Sequence, residues 1–487
     1  MAKSCSCNDF NRAQLLRRGA AVAGKGLPSI EPGMPLPAGT GMDRRTFLLA
    51  SAGTALSVYG ASMLSPRNFE EGIAAAAAAA PKQPVLVSIF MEGGWDALSV
   101  LAPLGAIAKE KEKEEQHRYE ALRPQIAAAL IKAQEETGGG QPFTEDETLM
   151  WHPQAKGLAQ LHQEGKVSVF PAIGYDPPDE SHFTSRHYWE VGQLDTETRT
   201  GWMGRYLDLA GDSGNPLQGL SLDYDLAPAL ASAKMPVAAI SSPSDYNFWA
   251  YGLSDPLAEP ALDAFGALGA LAAPSPAYAQ ARAASLDSSI IRQKMAPFVE
   301  HEGKPAFTSP VPYPAQGGEF PQRLAALAQM LDSGLPIKCA SLNAVGGYDT
   351  HSDEANTLST NLGQTVESVL AFQRDLEARK LADRVLIQLW SEFGRRPEEN
   401  GSGTDHGAAG VAFLIGTQAA GKMVGEFPGL QKLDENENLI NTSDYRAMYS
   451  ALLAQWFQTE AGLVIPGAGT GVAGPGPFGE VPQLIKS

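Results

Sequence analysis

The feature that most constrains this chain is the stretch Leu335–Gly416, in which apolar runs alternate with a helical pattern. Two runs, Ile337–Val345 and Arg384–Trp390, are rich in residues that favour strands, and a third is Val411–Ile415. Between the first two runs, apolar residues recur at helical spacing over Leu358–Leu381. This strand–helix–strand order predicts an α/β fold, in which functional side chains lie just beyond the carboxyl ends of the strands.

Carboxylates and imidazoles follow these runs. The first run leads through a glycine pair to Asp349 and His351, and the second is followed at once by Glu392. A polar loop ahead of the third run carries Asp405 and His406. In a parallel sheet such strand ends converge on one edge, so we expect these side chains to approach one another.

An earlier strand adds another acidic residue to this edge. The continuous apolar run Val85–Met91 suits a strand buried on both faces, and it ends in a Gly-Gly turn before Asp96. Carboxylate oxygens mixed with imidazole nitrogens suit Zn²⁺, Mn²⁺ or similar ions. The alternative is that Asp96, Asp349 and Asp405 cap helices and that the histidines are ordinary loop residues.

A second polar segment follows the strand-like run Val167–Pro171. Ser181 and Ser185 lie near a predicted helix N-terminus, where backbone N–H groups and the helix dipole favour an anion. Arg186 can add a bidentate donor to an oxyanion. The alternative is that Ser181 only caps a helix on a surface loop.

Charge and cysteine content exclude two classes of protein. The chain has 487 residues and a formal net charge of −18, which argues against nucleic-acid binding because phosphate contacts need clustered Lys and Arg. Cys5 and Cys7 lie in the N-terminal segment and leave only Cys339 in the body, so a disulfide framework is excluded there. We interpret Cys339 as a small buried hydrophobe within a strand.

The N-terminal segment has the pattern of an export signal. Arg44-Arg45 precedes an apolar stretch, and the alanine tract Ala74–Ala80 supplies a cleavage context, which is typical of the twin-arginine class. A membrane anchor is the alternative, but the apolar run is short and interrupted by glycine. We therefore expect a disordered leader with a signal over residues 1–80 and one α/β domain over 81–487. A charged helical insertion is expected at about 108–140.

Several short motifs resemble the DUF1501 family, a group of mostly exported bacterial proteins placed in the alkaline phosphatase-like superfamily. They are Gly93-Gly94-Trp95-Asp96, Ser181-His182-Phe183, Gly347-Tyr348-Asp349-Thr350-His351, Ser391-Glu392-Phe393-Gly394-Arg395 and Gly403-Thr404-Asp405-His406-Gly407. The resemblance implies a mostly parallel central sheet with helices on both faces. It also implies a phosphatase-type or sulfatase-type core that binds one or two divalent ions (Zn, Mn, Mg or Ca).

On the superfamily pattern, Asp96 and Glu392 would hold one ion. Asp349, His351 and His406 would hold the other. Ser181 would be the nucleophile, with Ser185 as the second choice, and Arg186 would bind the oxyanion. Many superfamily members have Ser-Asp-His where this chain has Ser391-Glu392-Phe393, so one imidazole is missing from that strand end.

These expectations describe a periplasmic or extracellular metal-dependent hydrolase of phosphate or sulfate esters. Its partners would be the twin-arginine translocation machinery and an ester that is a small molecule or a polymer, with no nucleic acid and no stable transmembrane anchor. The alternative is a non-catalytic secreted or surface binding protein on the same scaffold, since a fold alone does not guarantee activity.

Overall fold

The computed structural model of the chain describes residues 56–59, 83–105, 110–138, 140–213, 215–240, 255–269, 271, 275–299, 307–468, 479 and 482–486. The twin-arginine motif, the alanine tract and the N-terminal cysteines lie outside these residues. Their predicted roles therefore stay predictions.

The strands of the described part vary from two to eight residues in length. They are β1 (Leu56–Tyr59), β2 (Val85–Phe90), β3 (Leu101–Ala102), β4 (Gln141–Pro142), β5 (Met150–Trp151), β6 (Val167–Gly174), β7 (Gly219–Ser221), β8 (Val237–Ile240), β9 (Cys339–Asn343), β10 (Val385–Trp390), β11 (Gly394–Glu399), β12 (Thr404–Gly407), β13 (Gly410–Ile415) and β14 (Ser443–Asp444).

The helices differ more in length, from one turn to 25 residues. They are α1 (Ala97–Val100), α2 (Glu110–Leu122), α3 (Pro124–Glu136), α4 (Lys156–Gln163), α5 (His182–Val191), α6 (Trp202–Ala210), α7 (Asp255–Gly269), α8 (Pro276–Met295), α9 (Phe320–Asp332), α10 (Glu354–Ala378) and α11 (Tyr445–Ala451). Within the described ranges, none of them combines the length and the apolar character needed to cross a bilayer.

Most of the strands belong to a mixed, mostly parallel sheet surrounded by helices, which confirms the predicted α/β class, whereas β3–β5 and β11–β12 form two small separate sheets. The strands β2 and β10 are buried along their whole length, in keeping with their continuous apolar sequences. The helical insertion expected at about 108–140 is present as α2 and α3.

The chain divides into two compact units. The first comprises Met1–Val85, Asp195–Pro310 and Ala325–Leu342, and the second comprises Leu86–Leu194, Val311–Leu324 and Asn343–Ser487. In the first unit β7 pairs in parallel with both β8 and β9, and β1 pairs antiparallel with β8.

The second unit carries every predicted site residue. Its strands follow the order β2, β10, β13, β6 and β14, and β13 runs antiparallel to both β10 and β6. The hairpin β11–β12 follows the carboxyl end of β10, and its register places Arg395 opposite His406. Polar side chains are thereby delivered beyond the end of a buried strand.

Candidate metal centre

Three segments of the second unit bring histidine and aspartate side chains together. His182 is the first residue of α5, Asp349 and His351 lie in the loop after β9, and His406 belongs to β12. A ligand atom from each of His182, Asp349 and His406 lies within 4.8 Å of the other two. Of the predicted site residues, the structure thus brings Asp349, His351 and His406 to one place.

The carboxylate of Asp349 lies at the middle of this group. Its Oδ1 is 3.1 Å from His351 Nε2 and 3.3 Å from His406 Nε2, and its Oδ2 is 3.5 Å from His182 Nε2. The Nε2 atoms of His351 and His406 are 3.0 Å apart. The same ring nitrogen of each histidine therefore faces one carboxylate.

The other nitrogen of each ring contacts an oxygen atom. His182 Nδ1 lies 2.7 Å from Glu392 Oε1, and His351 Nδ1 lies 3.1 Å from Asp405 Oδ1. His406 Nδ1 lies 2.8 Å from the main-chain carbonyl of Glu180. This arrangement is the one that proteins use to orient a metal-binding imidazole.

Glu392 is held by the glycine turn after β2. Its carboxylate accepts hydrogen bonds from Gly93 N (3.0 Å), Gly94 N (3.1 Å) and the Ser391 hydroxyl (2.8 Å), and the side chain is fully buried. Gly93 and Gly94 have φ values of +119° and +74°, which glycine adopts without strain. The turn that follows β2 thus positions a carboxylate that follows β10.

Arg395 connects Asp349 to the same turn. Its Nη2 donates to Asp349 Oδ1 at 2.6 Å, its Nε donates to the Gly94 carbonyl at 2.7 Å, and its Nη1 donates to the Thr404 carbonyl at 2.9 Å. The guanidinium is buried, and Asp349 compensates its charge. Arg395 therefore fixes the position of the central carboxylate.

The charges and the burial of these side chains shift the pKa values of Asp349, His182 and His406. Burial alone would raise the pKa of Asp349, but its contacts with the three histidines and the charge of Arg395 hold that pKa well below its usual range. Burial would likewise lower the pKa of His182, but the carboxylates of Asp349 and Glu392 raise it to about 9. For His406 burial prevails and lowers the pKa.

Asp96 lies in a different, fully buried cluster. Arg123 is the single residue between α2 and α3. Its guanidinium donates to both carboxylate oxygens of Asp96, and Glu354 lies beside them. Burial alone would raise the pKa of Asp96, but the Arg123 charge holds it below its usual value. The predicted ligand Asp96 is therefore paired with an arginine from the helical insertion.

The predicted catalytic residues differ in their surroundings. Ser181 is the N-cap of α5 and is partly exposed, and its Oγ is 3.5 Å from Thr184 N. Ser185 is buried, donates to the Glu392 carbonyl and accepts from the Tyr175 hydroxyl at 2.8 Å.

Arg186 is engaged with acidic neighbours and an aromatic ring. Its Nε donates to Glu190 at 2.8 Å, its Nη1 lies 3.8 Å from Glu92, and the guanidinium lies over the ring of Phe90. These contacts direct the predicted oxyanion donor toward carboxylates.

Sequence reasoning assigned no role to His182, Arg395, Arg123 or Glu354. A signal for His182 was present, since it follows Ser181 in the polar segment after β6. For Arg123 the sequence signal pointed the other way, because a charged helical stretch predicts a solvent-exposed surface.

The residues present fit a bound divalent ion. Imidazole nitrogens suit Zn²⁺ and its transition-metal neighbours, and a carboxylate completes a mixed donor set. The side chain of His182 is 1% exposed, whereas those of Asp349 and His351 are 19% and 24% exposed. An ion at this place would therefore be reached by solvent from the side of Asp349 and His351.

Comparison with known proteins bears out the resemblance over part of the chain. The family described as "Protein of unknown function (DUF1501)" matches residues 300–454, about a third of the sequence. No curated protein matches. A crystal structure of PsFucS1 sulfatase from Pseudoalteromonas sp. superposes with a TM-score of 0.31 and 11% identity, covering 85% of this chain and 71% of that one. The DUF1501 match includes Asp349, His351 and His406 and excludes His182.

Proposed function

We propose that this chain is an exported, metal-dependent hydrolase of phosphate or sulfate esters, whose divalent ion is bound by His182, Asp349 and His406. The observation that supports the proposal is the convergence of these three side chains within 4.8 Å. A bound divalent ion would act as a Lewis acid, stabilising negative charge on the ester oxygens.

Ser181 is the nucleophile in this proposal. Its two neighbours in the chain both contact the centre, because the Glu180 carbonyl holds His406 and the His182 ring faces Asp349. Ser181 is partly exposed, whereas Ser185 is buried and its hydroxyl donates to a carbonyl. Ser181 is therefore preferred to Ser185.

The proposed reaction has two steps. The Ser181 oxygen attacks the phosphorus or sulfur atom, the ester bond breaks, and the alcohol leaves with the proton that Ser181 loses. Water then hydrolyses the seryl ester, which releases inorganic phosphate or sulfate and restores the hydroxyl.

The test compares hydrolysis of p-nitrophenyl phosphate and p-nitrophenyl sulfate by the purified full chain and three variants. We expect Ser181→Ala to reduce turnover by on the order of 10³-fold or more, and His182→Ala to remove both the ion and the activity. His117→Ala, at an exposed position on α2, serves as the matched control. If Ser181→Ala hydrolyses both esters at the same rates as the ion-loaded wild type, Ser181 is not the nucleophile.

Export is the second part of the proposal and is supported by the sequence. Arg44-Arg45 and the alanine tract Ala74–Ala80 predict transport through the twin-arginine machinery. Replacing both arginines by lysine should retain the chain in the cytoplasm, as measured by cell fractionation. Unchanged export of that variant would contradict this part and leave the hydrolase proposal unaffected.

A further inference from the structure

We infer that the site holds a single ion through four side chains, and that three oxygen groups around it act only to orient the histidines. The ligands are His182, Asp349, His351 and His406, and the orienting groups are the carboxylates of Glu392 and Asp405 and the main-chain carbonyl of Glu180. This inference rests on the metal centre of the proposed function and is independent of ester hydrolysis.

The tautomer of His406 follows from its partner. A main-chain carbonyl can only accept a hydrogen bond, so the Nδ1 atom that lies 2.8 Å from Glu180 O carries a proton. In the neutral ring the lone pair is then on Nε2, which lies 3.3 Å from Asp349 Oδ1. The Nε2 atom of His406 can therefore bind a metal ion.

His182 and His351 are oriented in the same way by carboxylates. Their Nδ1 atoms lie 2.7 Å from Glu392 Oε1 and 3.1 Å from Asp405 Oδ1. An ionised carboxylate only accepts, so each Nδ1 donates and each Nε2 remains as the donor atom for an ion. In metal sites, a histidine that binds the ion through one ring nitrogen usually donates a hydrogen bond from the other nitrogen to a carboxylate.

The spacing of the four donors fits one ion. Around an ion with ligands at about 2.0–2.1 Å, tetrahedral donor atoms are separated by about 3.3 Å. His351 Nε2 and His406 Nε2 are 3.0 Å apart and lie 3.1 and 3.3 Å from Asp349 Oδ1, and His182 Nε2 lies 3.5 Å from Asp349 Oδ2, so these four separations are close to that value. A cation at this place would also be attracted by the negative charge of the Asp349 carboxylate.

The hydrogen bonds of the Glu392 carboxylate give it a role that needs no contact with the ion. Its oxygens accept from Gly93 N, Gly94 N, the Ser391 hydroxyl and His182 Nδ1. The carboxylate accordingly belongs to the shell that orients His182. Together, three nitrogens and one oxygen favour Zn²⁺ or another transition metal over Ca²⁺ and Mg²⁺, which prefer oxygen ligands.

The experiment uses Cu²⁺ as a probe in the metal-free full chain. Electron paramagnetic resonance counts the nitrogens bound to copper through their hyperfine lines, and titration gives the number of ions. We expect one Cu²⁺ and three nitrogens in the wild type, two nitrogens in His351→Ala, and an unchanged spectrum in His117→Ala. A parallel competition titration with Zn²⁺ should show at least about tenfold weaker binding in His351→Ala, whose partly exposed side chain makes the substitution compatible with folding.

Two results would overturn the inference. The first is a wild-type spectrum that shows only two nitrogens bound to copper, a result that does not depend on how any variant folds. The second is more than one bound ion per chain. A chain that binds one ion through three nitrogens but hydrolyses no ester supports this inference and removes the hydrolase proposal. An active enzyme with two nitrogens on its ion does the reverse.

Discussion

Among single residues, Glu392 orients the imidazole of His182 through a hydrogen bond of 2.7 Å to its Nδ1 atom. Replacing it by glutamine keeps the size of the side chain and removes the charge that makes the imidazole a better ligand. We expect Glu392→Gln to weaken Zn²⁺ binding by about 10-fold to 100-fold, measured by competition with a chromophoric chelator. Glu136→Gln, at an exposed position on α3, is the control. Equal affinities in the two variants would show that Glu392 has no orienting role.

Glu354 gives a second prediction, on the pH dependence of stability. Burial and the charge of Asp96 raise the pKa of Glu354 to about 8, from an ordinary value near 4.5. Between these values the folded chain holds a proton that the unfolded chain has lost. The contribution of this group to the free energy of unfolding therefore falls as pH rises from about 4.5 through 8.

Glu354→Gln tests this, because the amide stays neutral at every pH. In urea unfolding at pH 5.5, 7 and 8.5, the wild type should lose stability relative to the variant at each step. Parallel pH dependence of the two proteins would mean that Glu354 is ionised in the folded state. Arg123 and Tyr119 also face this cluster, and both stay protonated over the range because their pKa values are raised.

At this scale the sequence predicted part of the site. Asp349, His351 and His406 follow predicted strands or turns and do converge. The strand-end argument could not tell which carboxylate faces an imidazole and which is paired with a cation. That distinction depends on Arg123, which pairs with Asp96 and also donates to the distant main-chain carbonyls of Arg396 and Pro397. His182 was missed because Ser181, one residue earlier, carried the chemistry that the pattern suggested.

Among the elements, the turn after β2 is the one that the centre depends on most. A Cβ atom on Gly93 would lie 2.4 Å from Asp349 N, so the turn and the loop that carries Asp349 are in close contact. Glycine is needed there for its positive φ and for this close approach. Gly138 also has a positive φ, of +90°, but a Cβ atom there would meet nothing within 4 Å.

These two glycines separate backbone strain from packing. Both Gly93→Ala and Gly138→Ala impose an unfavourable φ, but only the first displaces Asp349. We expect Gly93→Ala to lower the free energy of unfolding by about 1–3 kcal/mol more than Gly138→Ala, and to weaken Zn²⁺ binding. Urea unfolding and Zn²⁺ titration check both effects. Equal losses in the two variants would place the whole effect in the backbone conformation.

The elements themselves were largely predictable from the sequence. The buried apolar runs became β2, β9, β10 and β13, because such runs suit strands covered on both faces. The direction of β13 was not predictable in the same way. The chain reaches it from β10 through the β11–β12 hairpin and not through a crossover helix, and it pairs antiparallel with β10.

For the molecule as a whole, binding of an ion to the folded chain alone must raise its stability. At 100 times the dissociation constant the gain is about 2.7 kcal/mol. We therefore expect Zn²⁺ to raise the Tm of the wild type and of His117→Ala, and to leave the Tm of His182→Ala unchanged. An equal rise in all three proteins would place the stabilising ion elsewhere.

Anomalous X-ray scattering from crystals of the Zn²⁺-loaded chain would show whether one ion is bound where three histidines meet Asp349. We expect one anomalous peak at about 2.0–2.2 Å from the Nε2 atoms of His182, His351 and His406 and from the Asp349 carboxylate. A peak bound by Asp96 or Glu392, or no peak among these four side chains in loaded crystals, would contradict it.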